Sequence, residues 1–451
     1  MRIPGARCRL TRGALRVHPG GVWATYHRLL ETQWLDPAEL DRLRLEALRD
    51  LLDAARSVPF HRERLHAAGL DPARIEALSE LAALPPLERD ELQRLGVEGL
   101  RRPGSRGMRV ETSGSSGRPV EVLRPLSLIA FVKAADLRAR DWHGIGPAEH
   151  RLHITGSRMG RRRRIVSALE NTRLHHVIRP PGSDSTVAGF ARSLRRVPPA
   201  LVTGGVGPLS ILAGQLIDAG VSIPARVVWS GAGMLHEPQR QTVERAFGAS
   251  VYQRYGAWET GLIGQECPEG RSLHLLAENV IVEVVRPDGE PAATGEVGEV
   301  LVTTLCNHAM PMIRYRLGDL AALAAEPCSC GRGLPVLRSL VGRTNELLVT
   351  GDGAYVTPED VGNHVMTAVA ASVVEFQIEQ HADCRVDVKV VQRDDPPPAA
   401  FRERIAAALD GMLRAPGTTR VERVDEIPLE RSGKLRHIVS HAGPRTPGES
   451  A

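Results

Sequence analysis

The chain has 451 residues, 42% hydrophobic and 25% charged, a balance that excludes a disordered or fibrous polypeptide and allows one large domain with a smaller one attached. No apolar run approaches the roughly 18 residues that a membrane-spanning helix needs, and the start lacks the apolar segment and cleavage site of a secretory signal. The formal net charge is +5, but aromatics are only 4% and no basic segment is interleaved with stacking residues, so the case for a nucleic acid is weak; the positive excess would also suit an anionic small molecule such as ATP or coenzyme A, and composition does not choose between them.

Residues 1–30 contain arginines and no acidic side chain, which a frayed terminus explains more simply than a targeting segment. The expectation is a cytoplasmic protein without membrane or nucleic-acid partners. Glu39 to Ala55 carries apolar side chains at helical spacing, and Pro59, Pro85 and Pro86 punctuate the stretch after it. A loop at Arg101 to Gly107 precedes a short strand, Met108 to Glu111, which leads into Thr112-Ser113-Gly114-Ser115-Ser116-Gly117-Arg118-Pro119. From about residue 125 to 255, helical patterns alternate with short apolar strands at Leu152 to Thr155, Ala200 to Thr203 and Ala225 to Trp229, the pattern of a largely parallel sheet. The basic run Arg161 to Arg164 reads as a solvated loop or helix face.

Asn279 to Val285 and Gly298 to Thr304 read as strands of a β-rich subdomain, with a turn at Pro287-Asp288-Gly289. Beyond Gly342-Arg343 come strand, turn, helix, two strands, helix and strand, broken by a loop from Asp394 to Pro398. The predicted fold class is α/β: a large N-terminal domain over 1–343 with parallel-sheet layers and the β-rich subdomain, then a small mobile α+β domain over 344–451.

Thr112 to Pro119 offers glycines that let backbone N–H groups approach phosphate oxygens, and hydroxyls that add donors. It is not a Walker A loop, since Gly-Arg-Pro stands where Gly-Lys-Ser/Thr belongs, and taken alone such a stretch is a flexible loop more often than a phosphate cradle. Six cysteines in such a chain point to metal or free thiols before disulfides. Cys267, His274, Cys328 and Cys330 stand out as soft ligands, although Cys328-x-Cys330 is tighter than the common zinc knuckle and spacing alone favours free thiols. Cys8, Cys306 and Cys384 read as free thiols. Lysine is scarce: Lys133, Lys389 and Lys434 are all there are among 58 basic residues, which asks what each ammonium does that a guanidinium would not.

Order and company decide the rest. Thr-Ser-Gly-Ser-Ser-Gly-Arg-Pro is followed by Tyr255-Gly256-Ala257-Trp258-Glu259, by Gly298-Glu299 through Pro311-Met312-Ile313-Arg314-Tyr315-Arg316-Leu317-Gly318-Asp319, by Cys328-Ser329-Cys330-Gly331-Arg332, by Gly342-Arg343-Thr344-Asn345, and by Ser432-Gly433-Lys434. In this order, over roughly residues 50 to 440, the chain resembles the adenylate-forming superfamily of acyl- and aryl-CoA synthetases, and within it the phenylacetate–CoA ligases.

The resemblance implies ATP-dependent activation of a carboxylic acid, aryl or arylalkyl, to an acyl-AMP, followed by transfer to coenzyme A. It also implies a role for each motif. Thr112, Ser113, Gly114, Ser115, Ser116 and Gly117 would cradle phosphates, with Gly231, Ala232 and Gly256 beside the nucleotide. Tyr255 would stack on adenine, and Glu259 would hold Mg2+, a hard cation suited to a carboxylate. Asp319 would accept from both ribose hydroxyls, and Arg343 would present its fork to ribose or phosphate. Lys434 would bridge carboxylate and α-phosphate as negative charge builds. Gly342 to Asn345 would be the hinge of the small domain, with Gly351 and Gly353 at the mouth of a pantetheine channel. Relatives with a Cys/His site imply a structural Zn2+ on Cys267, His274, Cys328 and Cys330.

Trp258 departs from the family's Ser or Thr, Gly233 from its Glu, and Asn345 from its usual Asp or Lys, while Arg118 falls at a variable position. The same adenylation could instead deliver the acyl group to a carrier-protein thiol or an amine. A reading from another class is a non-catalytic zinc-stabilised binding protein, which would need none of Glu259, Asp319, Arg343 and Lys434.

Overall fold

The computed structural model describes residues 20–111, 119–156, 159–177, 184–352, 354–362, 365, 373–392, 398–428 and 436–442. The phosphate-loop motif from Thr112 to Gly117, Arg118, Gly353 and the Ser432-Gly433-Lys434 motif lie outside the described residues, and the side chain of Asn345 is not described.

The chain opens with α1 (Val22–Thr32), α2 (Pro37–Ala55), α3 (Pro59–Ala67) and, after two single turns, α4 (Arg89–Leu100). The start of α2 follows from chemistry just outside it: Asp36 accepts the Glu39 amide at 2.8 Å and Pro37 presets the first helical φ. A two-stranded antiparallel pair, β1 (Met108–Glu111) and β2 (Glu121–Arg124), brackets the segment that carries the phosphate-loop motif.

Alternation then builds the main sheet. In order come α5 (Leu126–Asp141), β3 (Arg151–Thr155), α6 (Arg161–Leu169), β4 (Thr172–His176), α7 (Asp184–Arg195), β5 (Leu201–Gly205), α8 (Val206–Asp218), β6 (Val227–Gly231), α9 (Glu237–Phe247) and β7 (Val251–Ala257). Strands β4, β3, β5, β6 and β7 pair in parallel. Leu152, Ile154, Val202, Val228 and Val251 point to one face, where they pack on α7, α8 and α9. Leu201, Val227, Trp229 and Tyr252 point to the other, beneath α5. The period of two along each strand thus puts an apolar side chain into both layers.

The β-rich region is not a separate sheet. β8 (Gly261–Glu266), β9 (Leu273–Leu275), β10 (Val280–Val285), β11 (Gly298–Thr304), β12 (Tyr315–Leu323) and β13 (Val336–Arg343) continue it antiparallel from β7, giving eleven strands in the order β10-β11-β12-β13-β9-β8-β7-β6-β5-β3-β4. A buried ion pair, Arg138 Nη1 to Glu278 Oε1 at 2.5 Å, with Thr32 Oγ1 donating to the same oxygen at 2.8 Å, ties α1 and α5 to the turn before β10.

After β13 the chain forms a short hairpin, β14 (Leu348–Val349) and β15 (Tyr355–Val356), and α10 (Pro358–Val361). A four-stranded sheet comes next, built from β16 (Val373–Gln380), β17 (Val386–Gln392), β18 (Thr419–Arg423) and β19 (Ile438–Ser440), with α11 (Pro398–Leu413) against it. Phe376, Ile378, Val388, Phe401, Ile405 and Leu409 form a core of its own. No described helix is long and apolar enough to cross a membrane.

Candidate active site

The strand ends bring the described motif residues together. Tyr255 is near the end of β7, Asp319 lies within β12, and Arg343 closes β13 directly opposite Asp319. Tyr255 Oη donates to Asp319 Oδ2 at 2.9 Å, and Arg343 Nε lies 3.3 Å from Asp319 Oδ1. Burial, then the Asp319 carboxylate, pushes the Tyr255 phenol well above its ordinary range, so it stays a neutral donor. Arg343 keeps 40% of its side chain exposed while its partner is buried.

Glu259 lies two residues beyond β7 and is 8% exposed. Arg89, at the start of α4, approaches its Oε1 at 3.2 Å, and Tyr315 Oη donates to the same oxygen at 3.4 Å. Arg124, at the end of β2, donates through Nε to the Trp258 carbonyl at 3.0 Å and holds its guanidinium 5.4 Å from the indole centroid. The Trp258 ring is 52% exposed. Gly256 permits this tight corner: a Cβ there would stand 2.6 Å from the Gly261 carbonyl oxygen.

Gly231 ends β6, and Ala232 beside it adopts a left-handed φ of 58°. Gly342 has φ 131°, and a Cβ on it would meet Pro358 Cγ at 2.8 Å, so this joint between β13 and the C-terminal unit needs glycine for both reasons. Gly351 lies in the turn between β14 and β15.

A second cluster joins two turns distant in sequence. Cys267 comes directly after β8, His274 is in β9, and Cys328 and Cys330 lie in the turn between β12 and β13; one ligand atom from each falls within 4.8 Å of the others. His274 Nδ1 faces the Leu334 carbonyl at 3.3 Å, which assigns that nitrogen as donor and leaves Nε2 toward Cys330 Sγ, also at 3.3 Å. Tetrahedral zinc with Zn–S bonds of about 2.3 Å requires ligand atoms under about 4 Å apart, a small contraction of this set. Arg332 stacks on Trp34 and Trp142 with centroids at 5.0 and 4.7 Å and places Nη1 3.8 Å from Cys267 Sγ. These residues fit a closed zinc site. The described Cys306 and Cys384 are free and stand apart from it.

Sequence reasoning missed Arg89 and Arg124, each one arginine in a chain rich in them with nothing local to distinguish it, and gave no role to Arg332 although it stands in the quoted Cys328 to Arg332 motif. Tyr315, inside the quoted Pro311 to Asp319 motif, was within reach of the motif reading but carried no assigned role.

No family model matches the chain. It is 28% identical over 454 residues to the phenylacetate–coenzyme A ligase of Thermus thermophilus, covering 91% of this chain and 98% of that protein. To the Escherichia coli phenylacetate–coenzyme A ligase it is 26% identical, over 75% of this chain and 78% of the other. Among solved structures, a 2-hydroxyisobutyryl-CoA ligase in its postadenylation state superposes with a TM-score of 0.75 at 16% identity, covering 91% of each chain, a likeness that establishes the fold.

Proposed function

We propose that this chain, which has the fold of the adenylate-forming CoA ligases and the sequence likeness of their phenylacetate–CoA ligase branch, is an AMP-forming acid–thiol ligase. It activates a carboxylic acid, aryl or arylalkyl, with ATP, releases pyrophosphate, and transfers the acyl group from acyl-AMP to coenzyme A. The observation that carries this reading is the convergence of Tyr255 of β7, Asp319 of β12 and Arg343 of β13 on one carboxylate beside Glu259.

The chemistry derives from those groups. Asp319 is acceptor-only, and its two oxygens match two vicinal hydroxyls of a ribose once Arg343 and Tyr255 yield. Tyr255 offers an apolar ring for a purine. The phosphate-loop residues Thr112 to Gly117 supply backbone donors and hydroxyls to the phosphates, and Gly231, Ala232 and Gly256 let the nucleotide approach the backbone closely. Glu259 would hold Mg2+, which would neutralise phosphate charge, and Arg89 balances the carboxylate in the structure. Lys434, on the C-terminal unit, brings a compact charge to the carboxylate and α-phosphate as the acyl–phosphate bond forms. The small domain over 344–451 turns on Gly342 to Asn345 between the two half-reactions. Cys267, His274, Cys328 and Cys330 would hold a structural zinc that ties β9 to the β12–β13 turn.

Incubating the protein with ATP, Mg2+ and a panel of acids, with and without coenzyme A, and detecting acyl-AMP, AMP and thioester by mass tests the reading. Acyl-AMP without coenzyme A and thioester with it are expected. Acyl-AMP that persists in coenzyme A but is consumed by a carrier protein or an amine would reassign the acceptor, and no AMP from any acid would overturn the enzyme reading.

A further inference from the structure

The short helix α10 meets the large domain at both of its ends. Its first residue, Pro358, places Cγ 2.8 Å from where a Cβ on Gly342 would stand. Directly after its last residue, Gly362 is buried against His236: a Cβ there would stand 2.6 Å from the imidazole Nδ1, 3.1 Å from Cγ and 3.2 Å from Cε1. The backbone of Gly362 is not left-handed, so it is the neighbouring ring, and not the chain conformation, that asks for glycine at this position.

Each partner is fixed in its own unit. Leu235, beside His236, is buried in the core that the parallel strands form with α7, α8 and α9, and the His236 N–H donates to Gln239 Oε1 at 3.2 Å where α9 begins. Val361, beside Gly362, and Val365 are buried in the core of the C-terminal sheet. Packed interiors resist small displacements, so the imidazole and the glycine move with their units and the contact records how the two lie against one another.

The orientation that goes with this contact is a particular one. Burial, then the nearness of His437 just before β19, lowers His236 to about 4, which leaves its ring neutral and desolvated at neutral pH. His437 is itself tied to the C-terminal sheet, with Nδ1 3.1 Å from the Phe376 carbonyl. Arg436 beside it acts on Glu346, whose carboxyl is raised by burial and lowered by Arg343 and Arg436, and Glu346 accepts the Arg343 N–H at 3.4 Å. The start of β19 is thus turned toward Arg343 and its partner Asp319, and in sequence Arg436 follows Lys434 by two residues. The segment from β6 to α9 carries Gly231 and Ala232, on the nucleotide side in the ligase reading, at one end and the seat of the C-terminal unit at the other.

We propose that His236 is a positioning residue for the adenylation half-reaction: its imidazole, packed on Gly362, holds the C-terminal unit in the orientation that turns the start of β19 toward Asp319 and Arg343. The contact parts when the unit turns for thioester transfer. The inference rests on the ligase reading and deepens it.

The test follows the two half-reactions apart, acyl-AMP formation by pyrophosphate release and thioester formation from supplied acyl-AMP, with a thermal melt of each variant. Gly362→Ala should lower kcat of adenylation roughly tenfold or more, because overpacking disfavours this orientation, and leave thioester formation within about twofold. His236→Ser, which keeps a side chain suited to the start of α9, should lower adenylation severalfold by loosening the seat, again with thioester formation intact. In the double variant the serine vacates the space that the methyl needs, so Gly362→Ala should cost little beyond His236→Ser alone, a non-additivity that a general loss of stability would not produce. If Gly362→Ala does not fold, the ratio of the two half-reactions in His236→Ser decides. An unchanged ratio in that variant, equal loss of both half-reactions, or the same cost of Gly362→Ala with and without the imidazole would overturn this inference alone. No acyl-AMP from any acid with the wild-type chain would overturn the ligase reading and this with it.

Discussion

Asp319 and Arg343 are direct partners across β12 and β13, with Arg343 Nε 3.3 Å from Asp319 Oδ1 while Tyr255 Oη holds Oδ2 at 2.9 Å. Both carboxylate oxygens are thus engaged within the protein, and a ribose diol bound there would exchange with these partners. Asp319→Asn keeps the shape and removes the charge. Charge-assisted bonds contribute about 1.5–3 kcal/mol each, so KM for ATP should rise roughly tenfold to a hundredfold with the fold intact. Pyrophosphate exchange against ATP concentration, with a thermal melt beside it, decides; an unchanged KM removes Asp319 from the nucleotide site.

Arg89 and Glu259 make a similar exchange. With Arg89 Nη1 3.2 Å from Glu259 Oε1, a divalent cation bound by Glu259 would displace a guanidinium. Glu259→Gln should raise the Mg2+ concentration for half-maximal adenylation by about tenfold or more, whereas Arg89→Ala should lower it. A Mg2+ titration of acyl-AMP formation in each variant checks both directions.

Lys434 is expected to serve adenylation and not thioester transfer. Lys434→Ala should abolish acyl-AMP formation while leaving thioesterification of supplied acyl-AMP largely intact, and Lys434→Arg should not restore it, since a broad fork cannot replace a compact ammonium. Equal loss of both half-reactions would show that the role is misassigned.

The sequence carried the parallel strands because their apolar runs were short and separated by helical spacing, and β11 at Gly298–Thr304 was read to the residue. It did not disclose that the β-rich region continues the same sheet, because pairing such as β9 with β13 joins Leu273 to Leu337 across a stretch that local pattern cannot bridge. Tyr255, Glu259, Asp319 and Arg343 were legible through motif order. The contact of His236 with Gly362 was not, because the two residues stand on separate units and no motif links them.

His61 on α3 is fully buried, and burial, with Arg64 beside it, lowers it to about 3. Its folded pKa is depressed below the ordinary 6.5, so the unfolded chain takes up the proton first as pH falls. Stability is therefore complete above about pH 7 and declines below the unfolded value until the folded pKa is reached, by about 1 kcal/mol near pH 5.5 from this residue. Denaturant unfolding at pH 7.5 and 5.5 should show a loss that includes this share, since His143, His153, His175, His236 and His274 are lowered to about 4 in the same direction, and His61→Gln should lessen the dependence by about 1 kcal/mol. A variant with the full wild-type slope would remove His61 as a source.

Chelation tests the cysteine cluster separately from catalysis. Purified protein should carry one zinc per chain, detected by native mass measurement, and stripping it at neutral pH should lower the melting temperature by several degrees, because binding energy at such a site is folding energy. Cys267, Cys328 and Cys330 should then become reactive to a thiol reagent, while Cys306 is unaffected by zinc removal. Cys328→Ser should reproduce the loss of metal and of stability, whereas Cys384→Ser, on the C-terminal unit, should do neither. The turn that holds Cys328 and Cys330 also feeds Arg332 between Trp34 and Trp142, so the stripped protein should show altered tryptophan fluorescence. A chain that holds no zinc and shows the same melt with and without chelator would return these four residues to free thiols and a buried histidine.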